Sequence, residues 1–396
     1  MADRDLDLVL FGATGFTGAL TADYLARTVT REGGPQDLRW ALAGRNPAKL
    51  AAVRDGLVAR FGDDLADLEL LSADATDPAS LAAVAARARV VITTVGPYLE
   101  HGEPLVRACA EAGTDYVDLT GEPEFIDTMY VRYHETAERT GGRLVHACGF
   151  DSIPHDLGAL YTAQQLGASG AVTMRGVVRT GALASGGTFH SALGQFARAR
   201  QLRAAAIARK QVEPRPTGRR AKAVAGRPTR DATLGYFLLP LPTVDPAIVV
   251  RSAAALPVFG TDFRYSHYAG TKTLHYAVGG AVGVSALVAA AQIGPVRRWL
   301  GNRMPQGEGP SEARRAASWF TVDFVAEGDG RTAHTRVSGG DPGYTETARM
   351  LAEAALCLAL DDNPPTAGSV TTAVAMGDAL LGRLQRAGIR FETIED

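Results

Sequence analysis

Cysteine is scarce. The chain has three in 396 residues, Cys109, Cys148 and Cys357, widely spaced and in no CxxC pair. That excludes a disulfide framework and a cysteine-built zinc site, and it predicts reduced thiols serving as small buried apolar residues. Neither sign of charge dominates: Lys plus Arg is 41 against 43 for Asp plus Glu, a net charge of −2, which removes the global electrostatic case for nucleic acid. The eight His are scattered without an HExxH, so no metal site is expected, and without a Gly-x-Ser-x-Gly elbow hydrolysis is disfavoured. Residues 1–15 lack the basic region, apolar run and cleavage site of a signal peptide, so a cytoplasmic location is expected. Long runs of Leu, Ile or Phe are missing too. The longest charge-free stretch, 273–296, consists mainly of Ala, Gly, Val and Ser; its length would allow a span, but its transfer energy is mediocre. A buried or surface-lying helix that houses a greasy substrate or touches a membrane face peripherally is the expectation there.

What is present starts with length. At 396 residues the chain exceeds a single core, and two domains are predicted, 1–165 and 166–396, with the end of the chain, 340–396, able to pack back on the first. Residues 6–11 are an apolar run ending in Gly12, Ala13, Thr14, Gly15, Phe16, Thr17 and Gly18, after which 19–27 reads as helix. Strand, glycine turn, helix is the context in which backbone N–H groups at a helix start hold a pyrophosphate, the glycines permitting the tight turn and close approach. A second strand, 38–43, ends in Gly44, Arg45, Asn46 and Pro47. A carboxylate at this tip would bind ribose hydroxyls, whereas Arg45, with Lys49 one helical turn on, suits a 2′-phosphate and therefore NADP(H). Asn46 before Pro47 is a helix cap.

The alternation continues through strands at 68–72 and 90–95, implying a parallel sheet. Asp74 after the third strand either approaches adenine or caps a turn, while Gly96 and Pro97 after the fourth let backbone lie along the nicotinamide side, which brings Tyr98 toward the chemistry. Helix 104–112, strand 115–119, a long helix ending at Gly141 and Gly142, and strand 144–147 follow. Asp118 and Glu122 could form an acid/base pair, but a strand-end turn and a helix start use the same residues, and that structural reading is preferred. The segment from Cys148 to Asp156 should border the crevice beyond the strand ends.

In the second half a strand, 172–179, precedes a helix, 189–210. Eleven cations, Arg198, Arg200, Arg203, Arg209, Lys210, Arg215, Arg219, Arg220, Lys222, Arg227 and Arg230, face only Glu213. The Pro and Gly among them predict a helix end passing into a flexible solvated loop, with docking of an acidic partner as the functional alternative. A hairpin at 319–337, a helix at 345–360, a helix at 377–387 and a strand near 389–392 complete an α+β second half. The predicted class is thus α/β, an N-terminal Rossmann doubly wound parallel sheet with a C-terminal α+β domain.

The chain resembles the saccharopine dehydrogenase-like oxidoreductases and, within them, the trans-acting enoyl reductases of complex-lipid biosynthesis. The resemblance rests on GATGFTG at 12–18, AGR at 43–45, VGPY at 95–98, GTDYVDLTGE at 113–122, GFDSIPHDLG at 149–158 and GDPGYTETARML at 340–351. It implies an NADP domain followed by a domain with an inserted sheet, and reduction of a double bond in a polyketide or lipid chain, possibly carried on an acyl carrier domain. On this reading hydride goes to the β-carbon and an enolate is held and protonated. Tyr98 is the first candidate donor and His155 the second, with Ser152 and Tyr344 as alternatives. Two rivals stay open: an imine or opine-type dehydrogenase, and a catalytically silent NADP(H)-binding protein at a membrane or lipid surface. Substrate, stereochemistry and oligomeric state are not legible.

Overall fold

The computed structural model describes residues 4–182, 197–275 and 309–395, with Gly279, Gly283 and Val296 between the last two segments. Seven parallel strands make the first sheet: β1 (Leu6–Phe11), β2 (Trp40–Gly44), β3 (Glu69–Ser72), β4 (Ala88–Thr93), β5 (Asp115–Asp118), β6 (Arg143–Val145) and, from near the end of the chain, β14 (Gly368–Val370). Their order is β14-β6-β5-β4-β1-β2-β3, so the topological switch lies between β1 and β4 and the ligand crevice lies beyond their carboxyl ends. All six β1 residues are buried, as a parallel strand covered on both faces requires.

Helices α1 (Phe16–Thr30), α2 (Pro47–Phe61), α3 (Pro78–Arg87), α4 (Glu103–Ala112) and α5 (Pro123–Thr140) connect these strands. The residues after β6 enter α6 (Ile153–Leu166). This helix also packs on the second sheet, where Gly158 permits the approach: a Cβ there would lie 2.4 Å from the Phe324 ring. The second sheet has eight strands, β7 (Ala171–Thr180), β8 (Arg220–Ala223), β9 (Thr229–Arg230), β10 (Phe237–Pro240), β11 (Asp262–Thr271), β12 (Phe320–Gly328), β13 (Arg331–Gly339) and β15 (Arg390–Thr393). Its order is β15-β13-β12-β7-β11-β10-β9, with β8 also on β11. β12 and β13 form the expected hairpin, paired from Phe320 opposite Gly339 to Gly328 opposite Arg331.

Between β7 and β11 lie α7 (Ala199–Val212) and α8 (Asp245–Ala255). The basic run departs from the flexible loop expected of it. Arg198 and Arg209 pair with Glu124 and Asp127 of α5, the Arg219 guanidinium donates to the Ala254 carbonyl at 2.9 Å, and residues 220–223 and 229–230 are strands. The physical reason is that α5 supplies buried carboxylates, and these draw Arg209 into the protein to 5% exposure. The remaining cations are exposed.

Residues 345–360 form α9 (Thr345–Leu360), in which all but three of the sixteen residues are buried. The helix packs against α1, where the Tyr24 hydroxyl donates to Glu353 at 2.6 Å. Each buried Leu contributes about 1.5–3 kcal/mol, so the C-terminal region is integral to the first core. α10 (Gly377–Arg386) leads into β15. The three cysteines are free and buried. Among the described residues no helix is long and apolar enough to cross a membrane; most of 273–296, and the start of the helix expected at 189–210, fall outside the described residues.

Candidate active site

The glycine turn follows β1 directly. Gly12 takes φ +94, which a side chain would strain, and a Cβ on Gly18 would lie 2.1 Å from the Gly12 carbonyl oxygen. The Gly15 amide donates to that carbonyl at 3.0 Å, closing the turn, while Thr14 and Gly15 are exposed at the start of α1. A glycine turn opening onto an exposed helix start is the arrangement that suits an anionic group. The Phe16 ring leans back on the C-terminal region, edge-on to Tyr344 at 5.0 Å and beneath the Arg315 guanidinium at 5.4 Å.

At the β2 tip Arg45 and Lys49 are exposed. The Asn46 side chain accepts from the Lys49 amide at 3.0 Å and caps α2. Asp74 accepts from the Thr76 amide and hydroxyl at 2.9 and 2.8 Å; these bonds, with Arg45, hold it below the ordinary carboxylate range. Its carboxylate therefore closes its own turn beside Arg45. Gly96 and Pro97 follow β4 at the same edge, joined by a cis peptide bond.

Tyr98 is 5% exposed. Its hydroxyl donates to the Thr93 carbonyl at 3.2 Å and accepts from the Leu119 amide at 3.4 Å, and burial, with Asp118 and Glu122 nearby, pushes it well above its usual range. Glu122 caps the turn before Tyr98, accepting from the Tyr98 and Leu99 amides at 3.2 and 2.9 Å. Asp118 is fully buried and accepts from the Thr120 and Ala147 amides, the Tyr116 hydroxyl and His146 Nδ1 at 2.7–3.0 Å. Asp118 closes the turn after β5, as the structural reading expected, whereas Glu122 makes no side-chain cap on α5 and serves the Tyr98 turn instead.

His155 stands in the first turn of α6 and is 2% exposed. Its Nδ1 lies 3.0 Å from Asp245 Oδ1. The other Asp245 oxygen is 3.6 Å from Nε2 of His267, whose Nδ1 is 3.0 Å from the Tyr265 hydroxyl. Three distant segments thus converge: the start of α6, the first residue of α8 and the middle of β11. Gly176 of β7 makes room for Tyr265, since a Cβ there would lie 2.2 Å from its hydroxyl oxygen. Burial drives the His267 imidazole down to about 4 against the pull of Asp245, so it is neutral near pH 7. Burial also raises Asp245, but His155 and His267 outweigh it and hold the carboxylate below its ordinary range. Among the described residues His155, Asp245 and His267 are the one group with the composition and spacing to hold a metal ion.

Asp151 completes the edge. It packs against Gly121, with its carboxyl oxygen 3.4 Å from the position of a Cβ there, and it is partly exposed. Burial and the Asp245 carboxylate push its carboxyl up to about 7, with His155 opposing. The sequence alone does not single out Asp151, Asp245, Tyr265 or His267. The available signal was the GFDSIPHD segment after β6 and two polar residues, 265 and 267, on one face of a strand.

A model of the saccharopine dehydrogenase NADP binding domain matches residues 8–145. A Mycobacterium tuberculosis protein named as a trans-acting enoyl reductase is 41% identical over 98% of this chain and 98% of its own length. A trans-acting enoyl reductase of Mycobacterium ulcerans is 36% identical over 98% of this chain and 97% of its own. The chain belongs to the saccharopine dehydrogenase-like oxidoreductases. It shares the fold of the L-Glu-forming saccharopine dehydrogenase of Saccharomyces cerevisiae, with a TM-score of 0.54 and 13% identity over 98% of this chain and all of that one. The unhindered glycine turn and the cations at the β2 tip fit the NADP(H) of that family domain.

Proposed function

We infer that the protein is an NADPH-dependent enoyl reductase that acts in trans, reducing the double bond of an unsaturated acyl or polyketide chain held by a separate carrier. The observation that carries this reading is similarity over essentially the whole chain to relatives named for that activity. The crevice supports it, with an anion-binding turn at one end and a cluster of ionisable groups at the other. NADPH supplies the hydride. Gly12, Ala13, Thr14, Gly15, Phe16, Thr17 and Gly18 hold its pyrophosphate through backbone amides. Arg45 and Lys49, with Gly44 and Asn46 setting the tip, take the 2′-phosphate, Asp74 shapes the adenosine end, and Gly96 and Pro97 border the nicotinamide. Tyr98 and His155 shape the nicotinamide end from behind, Tyr98 by fixing the β4 and β5 turns and His155 by anchoring on Asp245.

Action in trans needs a surface for the carrier. The cations of α7 and β8 that are not consumed internally, Arg200, Arg203, Lys210 and Lys222 among them, are exposed, as are Ile207 and Val212. A basic face with apolar centres complements an acidic carrier domain. The test is NADPH oxidation with a panel of enoyl thioesters, free and carrier-bound. Enoyl-dependent oxidation, faster on the carrier, is expected; oxidation only by a keto acid plus an amino acid would move the chain to imine chemistry, and tight NADPH binding without turnover to a silent binding protein.

A further inference from the structure

We propose that His155, Asp245 and His267 form a binding site for one zinc ion, which ties α6, α8 and β11 together. The inference does not depend on the reaction the crevice performs, and it reverses the expectation of no metal site that the scattered histidines gave. Asp245 carries the first part of the argument. Its carboxylate is 3% exposed, and among the described residues its ion pairs are with two imidazoles alone, with no Lys or Arg beside it. A buried carboxylate without a full positive charge next to it is costly, and a neutral imidazole does not supply one. A dication does.

The histidines carry the second part. His267 is 4% exposed. Its Nδ1 is 3.0 Å from the Tyr265 hydroxyl, while its Nε2 stands 3.6 Å from Asp245 Oδ2 and has no hydrogen-bond partner among the described residues. With Nδ1–H donating to Tyr265, Nε2 turns a lone pair toward a carboxylate oxygen, and two such acceptors repel unless a cation lies between them. A metal-bound imidazole is held in this manner, its second nitrogen donating to an acceptor that sets the tautomer and the ring orientation. His155 approaches the other carboxylate oxygen, its Nδ1 3.0 Å from Oδ1. One ligand atom from each of the three residues lies within 4.8 Å of the other two. Ligands bonded to zinc at about 2.0–2.1 Å in a tetrahedron stand about 3.3–3.4 Å apart, and the observed 3.0 and 3.6 Å fall on either side of that separation. Two nitrogens with a single carboxylate suit zinc, whereas calcium and magnesium take shells of oxygen. All three side chains are buried, which assigns the ion to holding the two helices and the strand together rather than to meeting a carrier-bound chain.

The test is the metal content of the full chain, purified without a polyhistidine tag from cells grown with added zinc and measured by plasma mass spectrometry. About one zinc per chain is expected, and its removal by a chelator should lower Tm, with added zinc restoring it. Cobalt(II) added to the stripped protein should bind one to one with the visible absorption of a four-coordinate ion. Asp245→Asn and His267→Gln should lose the metal. Tyr265→Phe keeps all three ligands and the aromatic ring, and is expected to bind zinc about 10- to 100-fold more weakly, the usual effect of removing the group that orients a ligand. X-ray absorption at the zinc edge of the wild type, which needs no variant to fold, should show two imidazoles and oxygen around the ion. A wild type that takes up neither zinc nor cobalt would overturn the proposal. So would a zinc shell without imidazole, or wild-type zinc affinity in folded Asp245→Asn, either of which would place the ion elsewhere.

Discussion

The two ends of the crevice are built in opposite ways. The glycine turn is local: seven consecutive residues form it, and its close approaches are met by the absence of side chains at Gly12 and Gly18. The cluster around Asp245 is assembled from α6, α8 and β11, buried, and dependent on side-chain charge. A local site tolerates change around it but not within it, whereas an assembled one depends on every element that delivers a group. Between them lies the Asp118 network, which ties the ends of β5 and β6 together.

That contrast gives an order of effects. The largest is expected for Asp118→Ala, which leaves His146, Tyr116 and two amides without their acceptor; removing one partner from such a buried site costs about 3–5 kcal/mol, to be read from urea unfolding. Gly18→Ala comes next. Its Cβ meets the Gly12 carbonyl at 2.1 Å, and overpacking of about 1–3 kcal/mol corresponds to NADPH binding roughly 10- to 100-fold weaker, measured by fluorescence titration. Arg45→Ala should weaken NADPH by about tenfold, the effect of one lost charged contact, and leave NADH unchanged; equal loss of both cofactors would remove Arg45 from the phosphate site. Reversing Arg200 and Arg203 to Glu should raise KM for carrier-bound enoyl substrate by a few-fold at low salt, on the scale of about 1 kcal/mol per exposed charge, with the free thioester unaffected.

The smallest effect is on stability against pH. A carboxyl raised to about 7 in the folded protein binds a proton that the unfolded chain releases at lower pH. Its stabilising contribution is therefore full in acid and lost as pH rises through the folded value. Asp151→Asn should gain stability relative to wild type as pH approaches 7 and hold a constant difference above it.

Much of the first end was legible because its information is contiguous. The turn, the β2 tip and the strand alternation are each written within a few residues, and the structure reproduces them with boundaries shifted by one or two positions, as for β4, expected at 90–95 and found at Ala88–Thr93. β14 escaped notice because Gly368–Val370 is only three residues long and pairs with β6 across more than 220 positions of sequence. The basic run misled for a related reason: its cations were visible, but the carboxylates on α5 that engage Arg198 and Arg209 lie more than 70 residues away. His155 was singled out without its partners, because nothing in the sequence places Asp245 and His267 beside it. The raised carboxyl of Asp151 was not legible because the burial that raises it, with Asp245 adding to it, comes from elements distant in sequence.

The most direct measurement is the fate of deuterium from 4-deuterated NADPH when the protein reduces a crotonyl thioester in ordinary water. The account predicts a saturated thioester carrying one deuterium at the β-carbon and a solvent-derived proton at the α-carbon. NADPH bound but not consumed, or its deuterium delivered only to the carbon of an imine formed from a keto acid and an amine, would contradict it.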